Sequence, residues 1–190
     1  MPLNVPNLIT LSRIILIPLI IAIFYVPDEW LSFSGKNMTA TAIFIFAAVT
    51  DWLDGYLARK LNQMSAFGAF LDPVADKLIV VGALIVLLKE GRVDTVVALI
   101  IIGREIAISA LREWMAKVGQ AKSVAVAFIG KLKTLSQMIA IPLLLYDDSL
   151  FGLVDCSVLG TILINVAAVL TVVSMLYYLR KALPYASVRG

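Results

Sequence analysis

The sequence predicts an all-α, polytopic membrane protein: one domain over residues 1–190, with six transmembrane helices and both termini in the cytoplasm. The chain is 61% hydrophobic with a mean hydropathy of +0.97, well above a soluble domain, in which about half of the residues are apolar. The apolar residues are concentrated in blocks of about 20, the length that crosses about 30 Å of hydrocarbon as a helix. The basic residues are divided unequally between alternate ends of these blocks, which indicates an orientation.

The apolar blocks follow one another along the chain and are separated by residues typical of turns or helix caps. The predicted spans are 7–26, 38–60, 68–89, 93–118, 127–146 and 153–180. The residues that favour turns or caps are Pro2 and Pro6, Ser34-Gly35, Gly68, Gly91, Gly119, Asp147-Asp148 and Pro184. We expect the first span to be a retained helix rather than a signal peptide, because it contains Arg13 and Pro18 and lacks a charged leader.

The charge distribution indicates which side of the membrane each loop occupies. Nine basic residues fall at the ends and loops predicted to be cytoplasmic: Arg59, Lys60, Lys117, Lys122, Lys131, Lys133, Arg180, Lys181 and Arg189. Only three fall on the opposite side: Lys36, Lys89 and Arg92. Because short cytoplasmic loops carry the excess of Lys and Arg, both termini are predicted to lie inside, next to anionic phospholipid headgroups.

The composition also excludes several kinds of chemistry. Cys156 is the only cysteine and the chain contains no histidine. An intramolecular disulfide and zinc or iron–sulfur sites are therefore excluded, as is any mechanism that uses an imidazole as nucleophile or base.

Four aspartates stand at helical spacing beside the link between the second and third spans. Asp51 and Asp54 are three residues apart near the end of the second helix, and Asp72 and Asp76 are four apart in the first turns of the third. Each pair therefore shares a helix face, and two antiparallel helices with a short connection would bring both pairs to one pocket.

Such a pocket predicts a site for divalent cations and phosphate chemistry. Several carboxylates in a low-dielectric environment repel one another unless protons or cations intervene, and their oxygens suit Mg²⁺ or Mn²⁺. Two such ions would clamp a pyrophosphate. Gly55 and Gly68 would leave room for a phosphorylated group, and Arg59 would add a phosphate-matching fork. Capping of the third helix at its N-terminus could explain Asp72. It does not explain Asp51 and Asp54, because the helix dipole disfavours negative charge at the C-terminal end of the second helix.

The residues from Asp51 to Asp76 follow the pattern D-x2-D-G-x2-A-R-x8-G-x3-D-x3-D, which resembles the full signature of the CDP-alcohol phosphatidyltransferases. Four further segments resemble the members of this family that use glycerol 3-phosphate: PNLITLSRIILIP (6–18), AAVTDW (47–52), REIAISALREWMA (104–116) and SVAVAFIGKLKT (123–134). The resemblance covers nearly the whole chain.

The resemblance implies a metal-dependent transfer of a phosphatidyl group from CDP-diacylglycerol to sn-glycerol 3-phosphate. It implies that Asp51, Asp54 and Asp72 hold two divalent cations, and that Asp76 both contacts a metal and acts as the general base. Donor-binding positions would be Gly55, Ala58, Arg59 and Gly68, with polar contacts from Asn7, Thr10 and Arg13 of the first helix.

A second polar group predicts where the acceptor phosphate binds. Arg104 and Arg112 are eight residues apart and share a face of the fourth helix, while Glu105 and Glu113 lie on an adjacent face. One interpretation is an internal salt-bridge ladder; the other is a phosphate pocket, to which Lys131 and Lys133 could add charge. Of these basic residues, Arg112 and Lys131 are favoured over Lys133 as ligands.

Two alternative functions stay open at this point. The first is another transferase of the same family whose acceptor is serine, inositol phosphate or a second lipid. The second is a cation transporter, although the chain lacks the internal repeats that transporters usually show. The expected partners are CDP-diacylglycerol, glycerol 3-phosphate and membrane phospholipids, with no nucleic acid. The resemblance also implies a homodimer in the bacterial cytoplasmic (inner) membrane, with the active site at its cytoplasmic face.

Overall fold

Six α-helices make up most of the chain that the computed structural model describes, which comprises residues 5–61, 66–120, 128–150 and 152–185. They are α1 (Val5–Ile23), α2 (Phe33–Leu61), α3 (Ala66–Lys89), α4 (Thr95–Lys117), α5 (Phe128–Tyr146) and α6 (Cys156–Ala182). A short 3₁₀ helix, Leu183–Tyr185, follows α6. Each helix coincides with one predicted apolar block to within a few residues, which confirms the predominantly helical fold.

The connection between α5 and α6 contains a small structure that the sequence did not predict. Strand β1 (Ser149–Leu150) pairs antiparallel with β2 (Val154–Asp155) in a two-residue ladder. Gly152 lies between the strands with φ of 68°, in the left-handed region that glycine adopts without strain. Strands this short carry too little hydrophobic alternation to be recognised from sequence.

The helices pack around a core of aliphatic side chains. Helix α1 packs against α2 and α3, α5 packs against α6 and α2, and α4 packs against α6. Helix α6 approaches α5 closely at Gly160, where an added Cβ would lie 2.7 Å from Cγ of Leu144 and 3.2 Å from its backbone nitrogen. The residues of the core with no exposed surface include Ile20, Ala40, Ala83, Leu84, Leu87, Ile101, Ala140, Ile141, Leu144 and Leu145.

The outer surface of the described bundle is apolar. Within the described residues, two helical segments are long and apolar enough to cross a membrane: α5, and the segment Cys156–Tyr185, which has a mean hydropathy of 2.3. Exposed apolar side chains on α6 include Val158, Ile162, Val166, Val169, Val173 and Leu176. An exposed apolar surface of this extent is typical of a protein in contact with lipid. The structure therefore fits an all-α membrane protein.

Polar contacts between the helices occur at opposite ends of the bundle. At one end, Arg92 joins three elements: its Nε lies 3.2 Å from Asp147 Oδ2, and its Nη2 donates to Asn37 Oδ1 at 2.8 Å. Its Nη1 donates to the carbonyl oxygens of Leu144 and Leu145 at the end of α5. These bonds satisfy carbonyls that the helix end leaves without an intrahelical partner. The candidate site lies at the other end.

Candidate active site

Three of the four predicted aspartates surround the guanidinium group of Arg13. Arg13 Nη1 lies 2.5 Å from Asp51 Oδ1 of α2 and 2.5 Å from Asp76 Oδ1 of α3. Its Nη2 lies 3.9 Å from Asp72 Oδ1. The Arg13 side chain is 1% exposed, whereas each of the three aspartate side chains is 45% exposed. A buried cation is thus shared by carboxylates that remain open to a ligand.

The packing of α1 explains how these groups meet. Helix α1 contacts both α2 and α3, so a side chain on its inward face reaches both helices. Thr10 lies three residues before Arg13 on that face, and its Oγ1 donates to Asp72 Oδ1 at 2.6 Å. Both Thr10 and Arg13 are buried. The first helix therefore supplies the hydrogen bonds that orient the carboxylates of the third.

The donor chemistry of this cluster fits a hard divalent cation. Asp51, Asp72 and Asp76 offer only oxygen donors and already share one positive charge, that of Arg13. Within the ranges that the structure describes, no group of three or more Asp, Glu, His or Cys residues is arranged closely enough to hold a metal ion. The residues that would bind a metal ion are therefore inferred from the chemistry of these aspartates and not from their present geometry.

A cavity of about 320 Å³ connects the aspartates with the basic residues of α4 and α5. Its polar lining residues are Arg13, Asp51, Asp76, Lys77, Glu105, Arg112, Lys133, Thr134 and Gln137. A volume near 300 Å³ is at the lower end of the range for small-molecule sites. Carboxylates and cations thus line one shared cavity.

Arg112 of α4 and Lys133 of α5 add positive charge to this cavity. The Lys133 side chain is 2% exposed and forms an ion pair with Glu105, which also contacts Arg104 Nη1 at 3.4 Å. Arg112 Nη2 donates to the Tyr178 hydroxyl at 3.4 Å. Among the described residues nothing accepts a hydrogen bond from the buried Nε of Arg112. Arg112 therefore retains hydrogen-bonding capacity for an anionic ligand.

The other two predicted acceptor ligands lie elsewhere. Arg104 is buried and directed toward α6, where its Nη2 donates to Ser174 Oγ at 3.3 Å, and it is not among the residues that line the cavity. Lys131 is exposed and also lies outside the lining. The sequence favoured Lys131 over Lys133 as a ligand of the acceptor phosphate. In the structure, however, Lys133 lines the cavity and Lys131 does not.

The two arginines of α4 do share a face, as their spacing predicts. The guanidinium carbons of Arg104 and Arg112 lie 5.9 and 5.5 Å from the centroid of the Tyr178 ring. The salt-bridge ladder is formed only in part. Arg104 pairs with Glu105, but Glu113 pairs with Lys117 at 2.9 Å rather than with Arg112.

Several predicted site residues fall outside what the structure describes. They are the side chains of Asn7, Asp54, Ala58 and Arg59 and the surroundings of Gly55, although the backbones of these residues belong to α1 and α2. Gly68 is described and lies buried in α3.

Gln137 and Thr134 line the cavity and were not predicted from the sequence. Gln137 follows Lys133 by four residues, so helical spacing would have placed both on the same face of α5. Glu105 was recognised only as a partner for arginine, and the structure shows that it also lines the cavity.

An apolar cleft adjoins the polar cavity. It has a volume of about 330 Å³ and lies between α2 and α5, lined by Phe44, Ile45, Ala48, Val49, Met138 and Pro142. Three of these residues, Phe44, Ala48 and Met138, also line the polar cavity. A polar site that opens onto an apolar cleft suits an amphipathic ligand with a charged headgroup.

A helical bundle with an apolar surface, in which a polar cavity adjoins an apolar cleft, fits a membrane protein with an amphipathic ligand. The chain belongs to the CDP-alcohol phosphatidyltransferase family, whose family model matches residues 3–173.

Curated relatives narrow this assignment. The chain is 48% identical over 184 residues to the CDP-diacylglycerol–glycerol-3-phosphate 3-phosphatidyltransferases of Shigella flexneri and Escherichia coli, and the match covers 96% of each chain. It is 47% identical, with the same coverage, to the protein of that name from Salmonella choleraesuis.

Proposed function

We propose that this protein transfers the phosphatidyl group of CDP-diacylglycerol to sn-glycerol 3-phosphate, forming phosphatidylglycerophosphate and CMP. The observation that carries the proposal is the single cavity lined by Asp51 and Asp76 together with Arg112 and Lys133. The two aspartates suit metal-dependent chemistry on a pyrophosphate, and the two basic residues can bind the phosphate of the acceptor. The names of the relatives, which match almost the whole chain, specify the same donor and acceptor.

Two divalent cations, Mg²⁺ or Mn²⁺, are proposed as cofactors, with Asp51, Asp54, Asp72 and Asp76 as their ligands. When bound, they supply positive charge that stabilises the pyrophosphate and the leaving phosphate oxygen. The oxygen-only chemistry of the described aspartates supports this choice. The hydrogen bond from Thr10 to Asp72 would fix the carboxylate's orientation.

Asp76 is proposed to act as the general base. It takes the proton from the C1 hydroxyl of glycerol 3-phosphate, and the hydroxyl oxygen attacks the phosphorus that carries the diacylglycerol. A new P–O bond forms, the P–O bond to the cytidylyl phosphate breaks, and CMP leaves. Asp76 lines the cavity and is half-exposed, so its carboxylate can reach an acceptor there.

Arg112 and Lys133 are proposed to hold the acceptor phosphate. Both line the cavity, and the Nε of Arg112, which has no acceptor among the described residues, would donate to a phosphate oxygen. Glu105 positions Lys133 through their ion pair. Arg104, which also belongs to α4, contacts the same carboxylate. Lys131 would contribute only through its charge near the start of α5.

The donor is proposed to bind across the polar cavity and the apolar cleft. Its acyl chains would follow the cleft between α2 and α5, which shares Phe44, Ala48 and Met138 with the cavity. The residues proposed to lie along its cytidine diphosphate are Gly55, Ala58, Arg59, Gly68, Asn7, Thr10 and Arg13.

We further propose that all six helices cross the bacterial cytoplasmic membrane, with both termini and the active site on the cytoplasmic side. The excess of basic residues at the predicted inner ends supports this orientation. The clustering of the aspartates, Arg112 and Lys133 around one cavity is what alternating helix directions would produce. The homodimer is part of the same proposal, and light scattering of the purified protein in detergent would measure the oligomeric state.

Serine or inositol phosphate as the acceptor would leave the donor half of the site unchanged. Serine has no phosphate to occupy the space beside Arg112 and Lys133, whereas inositol phosphate does. The names of the relatives favour glycerol 3-phosphate. Membership of the transferase family decides against the cation transporter.

The proposal is tested by measuring CMP release from CDP-diacylglycerol with Mg²⁺ or Mn²⁺, comparing glycerol 3-phosphate, serine and inositol phosphate. We expect release to require the metal and glycerol 3-phosphate. Asp76→Asn should lower the rate about 10²–10⁴-fold, because it removes the base. Asp148→Asn, an exposed position between α5 and β1, is the matched control and should leave the rate unchanged. Equal rates with serine would refute the proposed acceptor site.

A further inference from the structure

Gln137 lines the cavity that contains Asp76 and Lys133, and its side chain has an acceptor without a partner among the described residues. The side chain belongs to α5, lines the cavity and is only 4% exposed. Among the described residues, nothing donates a hydrogen bond to its buried amide oxygen Oε1. Because a buried polar atom without a partner is unfavourable, such an atom inside a ligand cavity indicates that the ligand supplies the missing donor.

Three side chains that line the cavity and could donate to Gln137 have other partners. Lys133, one helical turn before Gln137, forms its ion pair with Glu105. Arg112 donates to the hydroxyl of Tyr178. Thr134 donates to the carbonyl oxygen of Gly130, within its own helix. These three side chains therefore leave the Gln137 oxygen without a donor among the described residues.

The proposed acceptor has one group that the residues assigned above do not contact. Its C1 hydroxyl reacts at Asp76 and its phosphate binds Arg112 and Lys133, which leaves the C2 hydroxyl between them. A hydroxyl is a donor, and an amide oxygen is an acceptor. The C2 hydroxyl of the acceptor and the amide oxygen of Gln137 can therefore form a hydrogen bond.

We propose that Gln137 is a specificity-determining residue whose Oε1 accepts a hydrogen bond from the C2 hydroxyl of the three-carbon phosphate acceptor. This inference rests on the proposed function. A fixed C2 hydroxyl orients the carbon chain, so that the C1 oxygen approaches the donor phosphorus in one conformation. An acceptor without this hydroxyl leaves the Gln137 oxygen buried and unpaired, and is rejected for that reason.

The test compares glycerol 3-phosphate with 3-hydroxypropyl phosphate, which lacks only the C2 hydroxyl. In the wild-type protein we expect kcat/KM to be about tenfold or more higher for glycerol 3-phosphate, equivalent to about 1.4 kcal/mol per factor of ten. In Gln137→Met, kcat/KM should fall by that factor for glycerol 3-phosphate and stay unchanged for 3-hydroxypropyl phosphate, so that the ratio approaches one. The KM for CDP-diacylglycerol should not change.

The matched control is Ser136→Ala, a buried neighbour on α5 that does not line the cavity. It should preserve the wild-type ratio of the two acceptors. Because the ratio is measured on one protein sample, loss of folded protein does not alter it. Equal use of both acceptors by the wild type, or an equal fall for both in Gln137→Met, would overturn the role of Gln137. Failure of the wild type to use glycerol 3-phosphate at all would instead refute the proposed function.

Discussion

Replacing Arg13 with glutamine removes the buried cation that three carboxylates share, and we expect the protein to lose stability when no metal is added. At the contact distances of 2.5 Å, each guanidinium–carboxylate pair has its charge centres about 4 Å apart, worth about 4 kcal/mol at an effective dielectric constant of 20. The carboxylates are 45% exposed, so solvent screens much of this energy.

Free energies measured for ion pairs in other proteins give the range of the expected loss of stability. Exposed ion pairs contribute about 0–1 kcal/mol, whereas removing one partner of a buried pair costs about 3–5 kcal/mol. Arg13 is buried and its partners are half-exposed, so we expect about 2–3 kcal/mol. For a chain of this length, about 2–4 °C per kcal/mol predicts a fall in Tm of about 4–12 °C.

Thermal unfolding in detergent, with and without Mg²⁺, measures this effect. We expect Mg²⁺ to raise the Tm of Arg13→Gln more than that of the wild type, because the unneutralised carboxylates of the variant bind the cation more strongly. Arg180→Gln, an exposed arginine on α6, is the matched control and should melt like the wild type. If Arg13→Gln melts at the wild-type temperature without metal, Arg13 does not neutralise the aspartates.

Two further predictions concern the lysines of α5 and the contact of α6 with α5. Lys133→Gln should raise the KM for glycerol 3-phosphate at least tenfold because it removes a charge from the cavity, whereas Lys131→Gln should change it less than twofold; equal effects would contradict the placement of Lys133. Gly160→Ala should lower the free energy of unfolding by about 1–3 kcal/mol, since its Cβ would overlap the facing leucine of α5. Gly103→Ala, where an added Cβ meets nothing within 4 Å, should be neutral or stabilising by up to about 1 kcal/mol in the same denaturation experiment. Similar losses in both glycine variants would show that close packing at Gly160 is not the cause.

The positions of the helices and of the aspartates were predictable from sequence because both depend on local patterns. A segment in hydrocarbon must satisfy its own backbone hydrogen bonds, so an apolar block of about 20 residues is predicted to form one helix. The spacing of Asp72 and Asp76 places them one turn apart on one face of α3 whatever packs against them. The motif that contains them, together with the apolar blocks, indicated the family before any contact was known.

Tertiary structure alone decided how each helix is rotated about its axis and what its polar side chains contact. Lys131 and Lys133 are two residues apart, so they point about 200° away from each other, and only the packing of α5 against α6 and α2 determines which one enters the cavity. The contacts of Arg13 with Asp51 and Asp76 join residues 38 and 63 positions apart in sequence. The direction of Arg104 toward Ser174 and the unpartnered oxygen of Gln137 likewise depend on neighbouring helices. Local periodicity specifies a face of a helix, but the element that covers this face is fixed only when the bundle assembles.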